Sequence, residues 1–253
     1  MRPFRRTAQA GIIALLMSVL SGCASEDLPD FAMPARDVTD QAPRILSLWQ
    51  GAWVAALAVG AVVWGLIIWA VVLFRRRRSD TGLPPQVRYN VPIEVMYTII
   101  PLIMVSVFFF FTARDEERIL GVSANPDHEI TVTGIQWSWQ FTYVSDGDRN
   151  TTVTGTPGQP PTLVLPQGES VKFRLQSDDV NHAFWVPAFL FKLDVIPGQP
   201  NVFEITPKKV GTYQGRCAEF CGQDHARMLF NVEVVSPDEF QTYVADVKAG
   251  NAP

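Results

Sequence analysis

Residues 48–74 carry no charged side chain. A helix of that length exceeds the roughly 30 Å hydrocarbon core of a bilayer, and lipid admits only helices or closed barrels, because nothing else satisfies its own backbone there. This run therefore predicts a transmembrane helix with length to spare for tilt. Trp49, Trp53, Trp64 and Trp69 lie along it, and the outer pair suits an interfacial aromatic belt. Arg75-Arg76-Arg77-Arg78 follows and places that end in the cytoplasm by the positive-inside rule. A second run begins near residue 93, ends near residue 112 and precedes Arg114-Asp115-Glu116-Glu117-Arg118. It is just long enough to span, and Pro101 within it predicts a kink. The intervening residues 75–92 hold five Arg and one Asp. The expectation is a two-helix hairpin over residues 46–113, with both mature termini and residues 114–253 outside the cytoplasm.

A shorter apolar run, residues 10–20, follows Arg2, Arg5 and Arg6. A basic head and a short apolar stretch describe a secretory signal over residues 1–22, too short to span. It ends in Leu20-Ser21-Gly22-Cys23, which resembles a bacterial lipobox with Cys23 as the lipidated first residue of the mature chain. The plainer alternative is a signal peptide with an incidental Cys, and the scarcity of Cys favours lipidation. Residues 23–45 read as a polar linker. Charge is divided unevenly: residues 1–113 hold ten Lys/Arg and seven Asp/Glu, residues 114–253 eleven and eighteen. An acidic outer domain disfavours nucleic acid and suits a basic partner surface, although solubility alone also accounts for it.

The outer domain reads as β. Residues 129–144 alternate apolar and polar with aromatic enrichment, as a strand does. Shorter runs at 162–165, 170–176, 201–206, 212–215 and 229–235 are separated by turn chemistry such as Pro166-Gln167-Gly168 and Pro197-Gly198-Gln199-Pro200. A Greek-key sandwich or barrel is expected. Ser236-Pro237-Asp238-Glu239 predicts a terminal helix, with Ser as N-cap and Pro at the first helical position.

Chemistry concentrates in Cys217-Ala218-Glu219-Phe220-Cys221-Gly222-Gln223-Asp224-His225-Ala226-Arg227-Met228. Two thiols, an imidazole and a thioether within twelve residues form a soft donor set that suits copper. A mononuclear blue-copper loop needs one Cys; here a second stands four residues earlier, and two thiolates facing one space can bridge two metals. His182 supplies the upstream imidazole. His128, in a polar stretch, is expected to be solvated. A disulfide is the competing reading for Cys217 and Cys221 outside the cytoplasm, and His225 and Met228 at ligand spacing favour metal over it. Met is a poor zinc ligand, three residues rather than two separate the Cys pair, and no Cys-x-x-Cys-His motif for covalent haem occurs.

With this loop, Gln136-Trp137-Ser138-Trp139-Gln140-Phe141, the segment 177–182 and Phe191-Lys192-Leu193-Asp194-Val195-Ile196-Pro197-Gly198, the chain resembles subunit II of haem-copper cytochrome c oxidases over nearly its whole length. Position 135 is Ile where many relatives place His. The resemblance implies a cupredoxin-like fold and a dinuclear copper A centre. Cys217 and Cys221 would bridge, His182 and Met228 would complete one copper, and His225 with the Glu219 backbone carbonyl the other. It further implies magnesium or manganese shared with subunit I through Glu219, electron entry at Trp137, cytochrome c docking at Asp178 and Asp179, and a proton-pathway mouth at Glu94. The plainer readings are a core tryptophan, a solvated carboxylate and a polar helix cap. On this resemblance the chain is the electron-entry subunit of a proton-pumping terminal oxidase in the bacterial plasma membrane. Its partners would be subunits I and III and a soluble or tethered cytochrome c. A copper-free quinol-oxidase subunit would lack the Cys/His/Met set, and an outer-face copper-delivery protein would not need two spans with Glu94.

Overall fold

The computed structural model describes residues 33, 37–77, 81–83, 86–144 and 151–251. The signal segment 1–22, the lipidation candidate Cys23, most of the linker and Arg78 lie outside the described residues.

Among the described residues two helices come first, α1 (Ala42–Leu73) and α2 (Val91–Ile119), and both are long and apolar enough to cross a membrane. α1 starts earlier than its uncharged run because Thr39 Oγ1 accepts the Ala42 N–H at 3.2 Å and Pro43 occupies the first turn. α2 starts at Asn90, whose side chain accepts the Ile93 N–H at 3.4 Å while Glu94 Oε1 accepts the Asn90 N–H at 2.9 Å. It runs through Pro101 and continues about two turns past Thr112. At the outer ends Asp115, buried, meets Arg44 of α1 at 3.5 Å and Arg114 at 3.0 Å.

The expected linker ends sooner than hydropathy placed it. Val38 is fully buried, Thr39 bridges Pro207, and Asp40 exchanges two hydrogen bonds with the Thr206 backbone, at 3.0 and 2.8 Å. Ala42 and Leu46 are buried, while Ile45 and Ile119 pack on the β core. The hairpin thus joins the β domain through apolar contacts. The sequence hides this because residues 37–41 are mostly polar.

Ten strands follow among the described residues: β1 (His128–Ile135), β2 (Ser138–Tyr143), β3 (Thr151–Thr154), β4 (Thr162–Pro166), β5 (Val171–Ser177), β6 (His182–Val186), β7 (Phe191–Val195), β8 (Asn201–Ile205), β9 (Gly211–Cys217) and β10 (Leu229–Val235). They form two five-stranded sheets, ordered β3-β2-β1-β5-β8 and β4-β10-β9-β6-β7. This is the all-β sandwich expected. β5 shows why it forms: Val171, Phe173 and Leu175 are buried, with Lys172 and Arg174 turned out between them. Between the sheets Phe173 stacks on Phe203 at 4.8 Å and Phe184 on Phe230 at 5.0 Å.

Residues 129–144 are not one strand. The chain folds back at Gln136-Trp137, pairing Ile135 with Ser138 and Ile130 with Tyr143. The two-residue turn shifts the alternation by one, so inward positions are even in β1 (Ile130, Val132) and odd in β2 (Trp139, Phe141, Tyr143), a change of phase that one continuous strand does not accommodate. β3, β6 and β7 were not anticipated: β3 is four polar or small residues, and β6 is a continuous rather than alternating apolar run. His128 is not solvated either. Its Nε2 lies 2.6 Å from Glu169 Oε2 and its ring meets Phe240 edge-on at 4.8 Å. The terminal helix α3 (Pro237–Ala249) forms with a complete capping box between Ser236 and Glu239.

Candidate metal centre

β5 sets the axis on which the site is built. Its start, Val171, pairs with Ile205 beside the turn that grips residues 38–40. Its end, Ser177, pairs with Gly134, where β1 approaches His182. The centre therefore lies at the end of the sandwich away from the helices. His182 opens β6, Cys217 closes β9, and Cys221, His225 and Met228 follow on the loop to β10. The loop is tied down at both ends: Cys217 N–H donates to the Met228 carbonyl at 3.0 Å and Ala218 N–H to the Ala183 carbonyl at 3.0 Å. Gly222, at φ 122°, makes the bend between, in a region L side chains avoid.

The donor atoms converge. Cys217 Sγ lies 3.9 Å from Cys221 Sγ, 3.8 Å from His182 Nδ1 and 3.2 Å from the Glu219 carbonyl oxygen. Cys221 Sγ lies 3.6 Å from His225 Nδ1 and 3.7 Å from Met228 Sδ. The ligand atoms of His182, Cys217 and Cys221 all fall within 4.8 Å of one another. Both cysteines are free thiols, so the disulfide alternative is not what this structure contains. Cys217, Cys221, Met228 and His182 are buried, and His225 is half-buried. The Glu219 side chain faces solvent while its carbonyl turns inward.

Other residues hold these donors in place. His182 Nε2 meets Asp179 Oδ1 at 2.8 Å, which orients the ring with Nδ1 toward Cys217. Asp179 is fixed in turn by the backbone N–H groups of Gln136, at 2.6 Å, and Val180, also at 2.6 Å. Asp178 and Asp179 are both exposed, and Asp179 is in addition engaged with His182. Gly134 leaves room for the imidazole: a Cβ there would stand 2.8 Å from His182 Cδ2. Trp137, in the β1–β2 turn, donates its indole N–H to the Cys221 carbonyl at 3.1 Å, and Gln136 Nε2 donates to the same oxygen at 2.8 Å. Trp139 is fully buried, with Nε1 3.4 Å from the Met228 carbonyl. A regular strand would have put both tryptophans on one face; the turn gives each its own contact with the loop. Glu94 is not part of this cluster, since it opens α2 beside the arginine-rich segment.

The electrostatics follow from burial and close pairing. Burial raises both thiols. For Cys217 the hydrogen bond with His182 and the backbone contacts with Ala183 and Glu219 outweigh it, and its pKa falls to about 7. Cys221 is pushed up to about 12 by burial and by the neighbouring Cys217 charge. Burial opposes the charged form of His182, but Cys217 and Asp179 prevail and its pKa rises. Burial likewise opposes ionised Asp179, and the hydrogen bonds from His182, Val180 and Gln136 lower it. Cys217 is thus the readier of the two thiols to lose its proton, and both protons would leave where a cation takes their place. Two thiols, two imidazoles, a thioether and a carbonyl are a donor set for a soft, thiophilic metal, and copper fits it. The thioether argues against zinc.

Residues 159–235 match the family model described as cytochrome c oxidase subunit II, periplasmic domain. The chain is 48% identical over 282 residues to a probable cytochrome c oxidase subunit 2 of Streptomyces avermitilis, covering 97% of this chain and 88% of that one. It is 35% identical over 298 residues to cytochrome c oxidase subunit 2 of Mycobacterium tuberculosis, covering 96% and 82%. Among solved structures, the periplasmic domain of cytochrome oxidase subunit II of Bradyrhizobium japonicum is 32% identical. It aligns with a TM-score of 0.46 over 52% of this chain and all of that one.

Proposed function

Because this chain belongs to the cytochrome c oxidase subunit II family, we propose that it is the electron-entry subunit of a proton-pumping terminal oxidase. It receives electrons from a soluble or tethered cytochrome c and delivers them to haem in subunit I. Membership makes it a membrane-anchored oxidase subunit with its metal-binding domain outside the cytoplasm. The observation that carries the finer reading is the meeting of six donors around two buried thiols 3.9 Å apart.

The residues that would hold two coppers are Cys217 and Cys221 as bridges, His182 with Met228, and His225 with the Glu219 carbonyl. A bound copper pair supplies one-electron chemistry with the charge change spread over two metals and two sulfurs. The chain's part is to keep that charge change from moving atoms. The rigid ends of β6 and β9 fix His182 and Cys217, Asp179 fixes the imidazole, and the aromatic core behind Trp139 excludes water. Trp137 touches the loop from the outer side and is the proposed entry point, with Asp178 and Asp179 contributing negative charge for a basic donor. The outward Glu219 carboxylate is the proposed ligand for magnesium or manganese shared with subunit I. Glu94, held by the Asn90 N–H, is proposed to gather protons at the cytoplasmic mouth of a path in subunit I. Residues 1–22 are proposed as a lipoprotein signal, with Cys23 lipidated, and residues 46–113 as the anchor in the bacterial plasma membrane beside subunits I and III.

Metal analysis of the purified full chain tests the centre. Two coppers per chain and a dinuclear spectrum are expected, with Cys217→Ser and Cys221→Ser each abolishing that spectrum. One copper per chain, or zinc taken up in preference, refutes it.

A further inference from the structure

The outer ends of α1 and α2 carry two arginines on one carboxylate. Asp115 Oδ1 accepts Arg114 Nε at 3.1 Å and NH2 at 3.0 Å, and Arg44 NH1 at 3.5 Å. The carboxylate is 8% exposed, while the arginine side chains are 39% and 37% exposed. Arg114 also lies over the Phe111 ring, 4.9 Å from its centroid. These contacts use only part of the donors of each guanidinium; they hold the Arg114 plane in place and draw Arg44 to the same carboxylate. Two positive charges against one negative leave the cluster cationic.

Its height follows from the sequence. Asp115 stands three residues past Thr112, the end of the α2 apolar run, or about 4.5 Å along the helix. Arg44 touches Asp115, so α1 is at the same level there, four residues above its own uncharged run. Trp49, one turn further in, stands where an aromatic belt belongs. A head-group layer is about 5–8 Å thick on each side of the hydrocarbon, so the guanidiniums lie within it. The group of that layer that matches paired, planar N–H donors is the phosphodiester. Glu116 and Glu117 follow Asp115 directly, about 1.5 and 3 Å further along the helix, with Arg118 next.

We propose that Arg44 and Arg114, pre-ordered by Asp115 and Phe111, form a binding site for the phosphodiester of an outer-leaflet phospholipid. The site rests on α1 and α2 spanning the bilayer and is independent of the metal centre. A phosphate there would close the gap between the two helix ends on the side the guanidiniums expose. It would hold the hairpin at a fixed depth below the sandwich.

Native mass spectrometry of the full-length chain, released from detergent with added phosphatidylglycerol, tests the proposal. Diacylglycerol, which lacks the phosphate, and free glycerol phosphate are the comparison ligands. The parent chain should retain phosphatidylglycerol over both. Arg44→Gln and Arg114→Gln should each lower retention about fivefold, the size expected for one interfacial cation. Arg44→Lys and Arg114→Lys keep the charge and the pairing with Asp115, guard against misfolding, and should lose less. Equal retention by the parent and Gln variants overturns the site, as does retention of diacylglycerol at the same level. The same holds if the arginine dependence disappears in the assembled oxidase, because the arginines then serve a subunit contact. Flotation of the chain with vesicles is scored separately. Failure to float defeats the membrane reading itself, while flotation without arginine-dependent retention defeats only the site.

Discussion

At the scale of single residues, the ligands and their supports differ in how visible they are. Cys217, Cys221, His225 and Met228 announce themselves because one loop carries them all. The residues that aim His182 do not, since Gly134 and Asp179 come from separate segments and look like an ordinary strand glycine and a surface carboxylate. Asp179, expected on a docking surface, also grips the buried imidazole, a role no spacing rule reveals. Gly134→Ala should push a methyl against the His182 ring, which has no free volume to retreat into. Copper affinity, measured by chelator competition, should fall about tenfold, as for other losses of ligand orientation. Unchanged affinity would show that the ring tolerates displacement. The two tryptophans separate cleanly. Trp139→Ala should cost roughly 3–5 kcal/mol in urea unfolding, because the side chain is fully buried against Phe184 and Phe230. Trp137→Ala should leave copper content intact and slow electron entry at limiting donor; turnover equal to the parent's would remove Trp137 from the entry path.

Among the elements, those with a strong period or a strong cap were legible. α1 and α2 follow from uncharged length, β5 and β10 from alternation, and α3 from Ser236-Pro237-Asp238-Glu239. The fold-back at Gln136-Trp137 left its mark as a change of phase, apolar positions passing from even (Ile130, Val132) to odd (Trp139, Phe141, Tyr143), but with no Gly or Pro at the turn the run reads as one strand. β6 was missed because burial on both faces removes alternation. The α3 cap makes a pH prediction. Hydrogen bonds from the Ser236 hydroxyl and backbone N–H hold the Glu239 pKa below its usual value. A lowered carboxylate pKa stabilises the folded form above the unfolded-state value, about 4.3, and that contribution is lost as pH falls through the folded value. Protection of the first-turn amides of α3 against hydrogen exchange, taken relative to their intrinsic rates, should therefore fall in acid, and Glu239→Gln should flatten this dependence. Ser236→Ala should weaken the helix by about 1 kcal/mol near neutral pH and by less in acid, where the bond from its hydroxyl to ionised Glu239 is already lost. A cap whose protection is indifferent to pH in the parent chain would contradict the assignment.

For the whole molecule, the feature hydropathy could not foresee is the seat between hairpin and sandwich. Val38, Thr39 and Asp40 close onto the 206–208 turn, and Ser123 reaches Glu204 by two hydrogen bonds of 2.7 and 2.8 Å. Val38→Ala should loosen that seat by about 2 kcal/mol without unfolding the sandwich. Faster tryptic cleavage at Arg44 with unchanged copper absorption is the expected result; equal cleavage rates would mean Val38 adds nothing to the junction. A domain so seated behaves as a rigid extension of its anchor. Six residue steps of β5 and β1, about 20 Å, separate the gripped end from the ligands. A thinner or thicker bilayer tilts its helices, and at that arm length a change of about 10° would carry the ligands sideways by about 3 Å. Membrane thickness then becomes a mechanical input, transmitted as a lever transmits it, to the spacing across which electrons would pass in the proposed function.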